Sequence, residues 1–473
     1  MLFRVFFAAM FCSIPAFAGS SEHMTDPVSP VIFWVTLIFL LGVIGRNLAQ
    51  RLNQPGVLGE LLMGVLVGNL CVYFGSQLLV VLREGSAIFN VVGDLLSGIP
   101  LVHAVHNNIS DAHYAEQVVK ALSIKRSGDI LKVAYVVDIL SRYGVIFLLF
   151  VVGLQTSVKE LRQTGRESIQ VAIIGVLAPI LLGLLATFLL LPKLPFKSDL
   201  FIAATLSATS IGITARFLSE LNIMKSRESR TILGAAMIDD ILGLVILAVV
   251  SSLVVTGAVD VVEVGFIIVS AVLFFSCSML FGPWILKQAA KSFVFFQPWE
   301  EKLFISFVFS MGLAWIASLV DLSPIIGAFA AGVILRDDFF RSEKTGRNGL
   351  SIKELIAPLE SIFTPLFFMV IGFQVKLESF VNCDVLLIAS GLIVAAIFGK
   401  LLSGFGANKR DDRLFIGIGM LPRGEVGLVF ASIGRALNVI SDDLFSAIIL
   451  MVIVTTFIAP PWLKYQYAKQ NAR

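Results

Sequence analysis

Apolar runs long enough to cross a bilayer recur about thirteen times along this chain, each able to cover the roughly 30 Å hydrocarbon core as a helix of about twenty residues. That recurrence restricts the fold more than any other feature. Their approximate centres are Leu40, Val65, Phe150, Ala178, Ser207, Ile241, Ile268, Ser310, Phe329, Phe368, Ile393, Gly424 and Ile453. The expected class is therefore an all-α polytopic membrane protein. Composition agrees: 57% of the 473 residues are hydrophobic and 15% charged, and mean hydropathy is +0.91, too apolar for a soluble globule. A net charge of +3 gives no reason to expect nucleic acid as a partner. Cys12, Cys71, Cys277 and Cys383 have no paired spacing and are expected to be small buried hydrophobes.

Residues 1–18 have the pattern of a secretory signal: Arg4, an apolar run from Val5 to Cys12, then Ala16-Phe17-Ala18 as a cleavage site. Residues 19–473 form the transmembrane domain. Lys and Arg concentrate in alternate connections, such as Lys159 to Arg166, Lys225 to Arg230, Arg336 to Lys353 and Lys409 to Arg413. The intervening connections hold only Lys193, Lys197, Lys376 and Arg435. This positive-inside bias predicts a periplasmic mature N-terminus, a cytoplasmic C-terminus and an odd number of spans in the inner membrane.

Three short patterns occur twice in the same order. Gly59 to Val65 reads like Gly327 to Val333, Phe150 to Gln155 like Met369 to Gln374, and Ser210-Ile-Gly212-Ile like Glu425-Val-Gly427-Leu. An odd number of spans separates each pair, which predicts two inverted repeats with a substrate site between them near the midplane. The first half carries an extra stretch, at about residues 74–140, expected on the outer face as a solvated, interfacial loop. Its histidines His103, His106 and His113 offer a His-x-x-His spacing, but a loop without a metal is the better reading.

Ionisable residues at membrane depth cost about 2.5–3.5 kcal/mol each on insertion scales, so they mark function. Asp239 and Asp240 lie side by side in an apolar helix, where adjacent residues point about 100° apart and meet different surroundings. Lys400, deep in its span, can offset a buried acid. The run Gly419-Met-Leu-Pro422-Arg423-Gly424-Glu425 is a broken helix carrying both charge signs; its repeat counterpart runs from Leu206 through Ser207, Thr209, Ser210 and Gly212 to Thr214. Broken helices free backbone carbonyls for ion coordination. A hard monovalent cation prefers oxygens, and Asp240, Asp239, Thr209 and Ser210 supply them, with Asp240 holding the metal ion transiently. Proton and metal ion compete for the same carboxylate. No phosphate-binding loop, cofactor motif or nucleophile–base arrangement appears, so neither an enzyme nor a cofactor is expected.

At these residues the chain resembles the monovalent cation:proton antiporter-2 family, in particular its sodium/proton antiporters with paired aspartates. The matching pieces are Gln54 to Glu60, Leu206 to Arg216, Ile238-Asp239-Asp240, Pro324 to Phe329, Phe398-Gly-Lys400 and Leu421 to Gly427. The resemblance implies crossed discontinuous helices, a homodimer in membrane lipid and elevator-like alternating access that exchanges Na+ for H+, more than one proton per cation. It also implies that Asp240 binds ion and proton, that Asp239 pairs with Lys400, and that Arg423 and Glu425, with Ser207 and Gly212, support the core. A K+/H+ (or Li+) exchanger of the same fold, a sodium-coupled organic-anion symporter and a channel stay open as alternatives.

Overall fold

The computed structural model describes residues 28–471 except 53, 74–75, 86, 110–111, 124–126, 156–164, 211–212, 215–217, 219–222, 224–225, 257–260, 293–296, 321, 341–349 and 424. The signal expected at residues 1–18 lies outside them. Among the described residues the chain forms eighteen α-helices and no strand. Eight are long and apolar enough to cross a membrane, and twelve of the thirteen expected centres fall on helices or just past the end of one, while Gly424 lies outside the described residues.

One bundle contains α1 (Ser29–Arg51), α2 (Gly56–Tyr73), α7 (Ser127–Gln155), α11 (Val261–Ser292), α12 (Pro298–Leu319), α13 (Pro324–Ile334) and α14 (Ile352–Gln374). The other contains α8 (Arg166–Leu190), α9 (Phe196–Thr205), α10 (Arg227–Thr256), α15 (Cys383–Ser403), α16 (Arg413–Gly419), α17 (Glu425–Ala436) and α18 (Asp442–Asn471). Helix starts follow local chemistry. At α14, Ser351 and Glu354 form a reciprocal capping box, and Asp412 accepts from the Phe415 N–H at the head of α16. Between the bundles runs an apolar core that includes Leu61, Phe329 and Phe368 on one side and Phe201, Leu247 and Phe430 on the other. Outward faces carry large apolar side chains such as Leu280, Phe188 and Trp315, each more than 60% exposed, as expected of a surface solvated by lipid.

Glycine sets the closest helix approaches. A Cβ on Gly64 of α2 would come 2.6 Å from the Met369 carbonyl oxygen of α14, and one on Gly372 would come 2.7 Å from Gly64 Cα. The same reciprocal arrangement joins α7 and α13, where a Cβ on Gly153 would come 3.0 Å from Gly332 Cα and one on Gly332 2.9 Å from the Gly153 carbonyl carbon. No side chain fits in either place.

The stretch between α2 and α7 is not a loop. It holds α3 (Gln77–Arg83), α4 (Ala87–Leu96), α5 (Leu101–Asn108) and α6 (Ala112–Leu122). Leu79, Val81, Val91, Val105 and Val118 pack there against Ile38, Met369 and Phe373 of the first bundle. Burial of these apolar faces overrides the polar composition that suggested a loop. Residues 127–140, expected in this stretch, are the first part of α7. Cys277 and Cys383 are exposed rather than buried; on a membrane-spanning helix an apolar position is as well served by lipid as by protein.

Candidate functional site

Two helices of the second bundle, α9 and α16, stop among buried residues, and the segments that follow them meet. After Thr205 the Ser207 hydroxyl donates to the Ala204 carbonyl oxygen at 2.7 Å, competing with the helix ladder, and the chain runs on outside any helix through Ser210. In the opposing segment α16 ends at Gly419, and Pro422 has no N–H with which to extend it. Freed backbone groups then bond across the crossing: the Ser210 N–H donates to the Pro422 carbonyl oxygen at 2.8 Å, and the Thr214 hydroxyl to that of Gly419 at 2.9 Å. Arg423, 1% exposed, donates to the carbonyl oxygens of Ala208 at 3.0 Å and Ala396 at 3.4 Å. Its Nε has no hydrogen-bond partner among the described residues, and the Thr456 hydroxyl donates to its carbonyl oxygen.

Beside this crossing stands the acid pair of α10. Asp239 is 1% exposed, and the fully buried Lys400 ammonium of α15 lies 3.2 and 3.3 Å from its two carboxylate oxygens. Lys400 does not reach for the membrane surface. The small faces of Gly399, packed on Pro179 of α8, and of Gly175, opposite Lys400 Nζ, let α15 and α8 close around it. The Thr209 hydroxyl also hydrogen-bonds Asp239 and lies 3.5 Å from the Met420 carbonyl oxygen. Asp240 follows one residue on, 4% exposed, close enough to Lys400 to interact with its charge. One region therefore gathers Asp239, Asp240, Thr209, Ser210, Ser207, Lys400 and Arg423. Gly212 and the side chain of Glu425 lie outside the described residues.

Sequence reasoning missed other charges at depth. Arg46 of α1 meets the fully buried Glu60 of α2 at 2.5 Å, and Glu301 of α12 is 1% exposed. Lys376 and Arg435, counted above only among the basic residues of the intervening connections, are 0% and 8% exposed. All of them sit near helix ends, where a charge reads as interfacial; an acid and a base of matching depth on neighbouring spans was the available signal. Of the histidines, His106 directs Nδ1 to the Val102 carbonyl oxygen at 2.8 Å, and no group of three or more metal-binding side chains occurs among the described residues.

Taken together, apolar spans, helices broken at depth and a buried ion pair beside the break define a helical multi-pass membrane protein of the carrier class. The chain belongs to the sodium/hydrogen exchanger transmembrane family, whose model matches residues 35–466. It is 35% identical over 464 residues to the high-affinity Na+/H+ antiporter NhaS3 of Synechocystis, covering 95% of this chain and 93% of that one. It is 29% identical to the Na+/H+-K+ antiporter GerN of Bacillus cereus, covering 93% and 97%. Among solved structures, the sodium proton antiporter MjNhaP1 of Methanocaldococcus jannaschii has the same fold, with a TM-score of 0.59 at 17% identity over 94% of this chain and 98% of that one.

Proposed function

We propose that this protein is a secondary antiporter exchanging Na+ for H+ across the inner membrane by alternating access, with Asp240 as the carboxylate that cation and proton share. The observation that carries this reading is the position of the Asp239–Asp240 pair, inside an apolar helix and next to a crossing of broken backbone. Asp239, held by Lys400 and Thr209, keeps a fixed salt bridge at the site, while Thr209, Ser210 and carbonyl oxygens of the crossing complete the oxygens around the ion. Arg423 and Glu425 support the crossing itself, with Ser207 and Gly212. Carboxylates exchange protons for metal ions because the two compete for one set of lone pairs. A carrier that reorients only when filled must therefore trade one for the other. The transmembrane potential contributes about 2.3 kcal/mol per charge per 100 mV if more than one proton moves per cation.

The reciprocal packing of Gly64 on Gly372 and Gly153 on Gly332 supports two inverted repeats, since each repeat lends the same glycine-bearing helix to the other. The second bundle is then the moving body and the first the scaffold, through which a homodimer forms in the lipid. The N-terminus lies on the periplasmic side and the C-terminus in the cytoplasm.

The deciding measurement is cation-induced dequenching of a pH-sensitive dye in everted vesicles, with Na+, Li+ and K+ compared across pH. Wild type collapses the proton gradient on addition of Na+. Asp240→Asn abolishes the response at equal expression, and Asp239→Asn and Lys400→Ala lower it. An Asp240→Asn variant that still dequenches at the wild-type rate overturns the assignment. The K+ arm separates a potassium exchanger of the same fold, an outcome kept open by the name of the Bacillus cereus relative.

A further inference from the structure

Lys376, just past the end of α14, is fully buried, yet none of its partners belongs to the crossing. Its ammonium lies 3.0 Å from Glu84, at the end of α3, and 2.5 Å from Asp442, the first residue of α18. Above it stands the Tyr114 ring of α6, with the centroid 3.2 Å away. The Lys376 backbone N–H donates to the Ser446 hydroxyl of α18 at 3.3 Å. From the other side Arg435 of α17 meets Asp442 at 2.7 Å, the Gln374 side-chain oxygen of α14 at 2.9 Å and the Arg83 carbonyl oxygen of α3 at 2.9 Å. Arg83 itself bonds the Asn69 side-chain oxygen of α2 at 2.9 Å and Glu378 at 2.5 Å. Three cations and three carboxylates thus form one compensated lattice that touches both bundles and the helices of the extra stretch.

Two features make this lattice more than a structural brace. First, it lies on one face only. The extra stretch supplying Arg83, Glu84 and Tyr114 has no counterpart in the second half of the sequence, so the two mouths of the molecule are not equivalent. Second, a cavity of about 110 Å³ lies between the bundles next to it, lined by Asp138 and Gln374 from the first and Ser432 and Arg435 from the second. Desolvation and attraction nearly cancel in buried ion pairs, because separated ions regain their water. A lattice of this kind comes apart and re-forms at little net cost, unlike an apolar contact of the same area.

We infer that the Lys376 lattice is a clasp that holds the second bundle against the scaffold at the outer mouth, and that it must open for this cavity to widen into an entry path. The inference rests on the reading that the second bundle moves. The clasp sets how the two orientations are shared, and so the rate of turnover, without touching the transported ion.

The test places a single cysteine at Ser432, as Ser432→Cys in a chain whose four native cysteines are replaced, and follows its reaction with a membrane-impermeant maleimide applied from the outer side. Lys376→Met combined with Glu84→Gln removes a cation and a carboxylate together and leaves no unpaired charge of its own making; Asp442→Asn is the second variant. In sealed vesicles that present the outer face, with each variant checked to purify as monodisperse protein, the labelling rate rises on the order of tenfold in both, within the usual range of coupling between sites. A rate within about twofold of the parent in both variants overturns the clasp. Na+-driven dequenching is measured on the same parent. If it is absent while labelling accelerates, the exchange reading fails and the clasp stands; if it is present while labelling does not change, the clasp alone fails.

Discussion

Removing the ammonium of Lys400 tests the buried pair at the site most directly. Lys400 and Asp239 are 0% and 1% exposed, with Nζ 3.2 Å from one carboxylate oxygen and 3.3 Å from the other, so no water screens them. At that distance two unit charges attract by about 5 kcal/mol at an effective dielectric constant of about 20. Lys400→Met forfeits this attraction but leaves Asp239 buried, with the Thr209 hydroxyl as its remaining hydrogen-bond donor. Breaking one side of a buried pair costs about 3–5 kcal/mol, whereas replacing both sides with neutral groups is often close to neutral. At about 2 °C per kcal/mol for a large chain, Lys400→Met and Asp239→Asn each lower the unfolding midpoint by about 6–10 °C. The double variant recovers most of that loss. The assay is thermal unfolding of detergent-purified protein followed by tryptophan fluorescence, read as a double-mutant cycle. Strictly additive losses, with a coupling energy below about 0.5 kcal/mol, would refute the claim that the two side chains form a desolvated pair.

Two further outcomes follow from other parts of the molecule. Gly153→Val and Gly372→Val each force a side chain into backbone and should destabilise the protein by similar amounts, about 1–3 kcal/mol apiece by overpacking; Gly312→Val, where the added Cβ meets nothing within 4 Å, leaves the unfolding midpoint unchanged in the same melt. At Glu378, burial pushes the carboxyl up, but hydrogen bonds from Arg83 and Tyr114 win and hold it below its ordinary value of 4.5. A depressed carboxyl stabilises the fold above its unfolded value and stops doing so as pH falls through its folded one. The unfolding midpoint of wild type therefore drops more steeply below about pH 4.5 than that of Glu378→Gln.

The parts of this architecture legible from residues alone were those where chemistry and depth conflict. Asp239, Lys400 and Arg423 stand out because an apolar run makes each charge costly; that Lys400 pairs with Asp239 and not Asp240 came from the family resemblance, and the structure shows the contact. The breaks after Thr205 and Gly419 were readable from Pro422 and from a polar run in mid-span. Thr209, expected among the oxygens around the ion, also hydrogen-bonds Asp239, a contact that depends on helix rotation and not on spacing. Lys376, Arg435 and Arg83 escaped notice because charges at span ends are ordinary, and nothing local reveals that another helix covers them. The extra stretch was misread for a related reason. Its helices are short and amphipathic, and the surface they bury lies on α1 and α14, far away in sequence.

The reciprocal glycine contacts also bear on how the chain is made. α2 emerges from the ribosome early and meets α1 at once, yet its other face packs on α14; Asn69, near the end of α2, reaches the Val375 carbonyl oxygen 306 residues further on. α7 must likewise wait for α13. Spans inserted first therefore remain in lipid with unfilled grooves until the distal half arrives, and neither half assembles its native interior in isolation. Such a high contact order predicts slow maturation and a window in which early spans are open to quality-control proteases. Truncation anywhere before α14 should yield a rapidly degraded fragment, not a smaller working carrier.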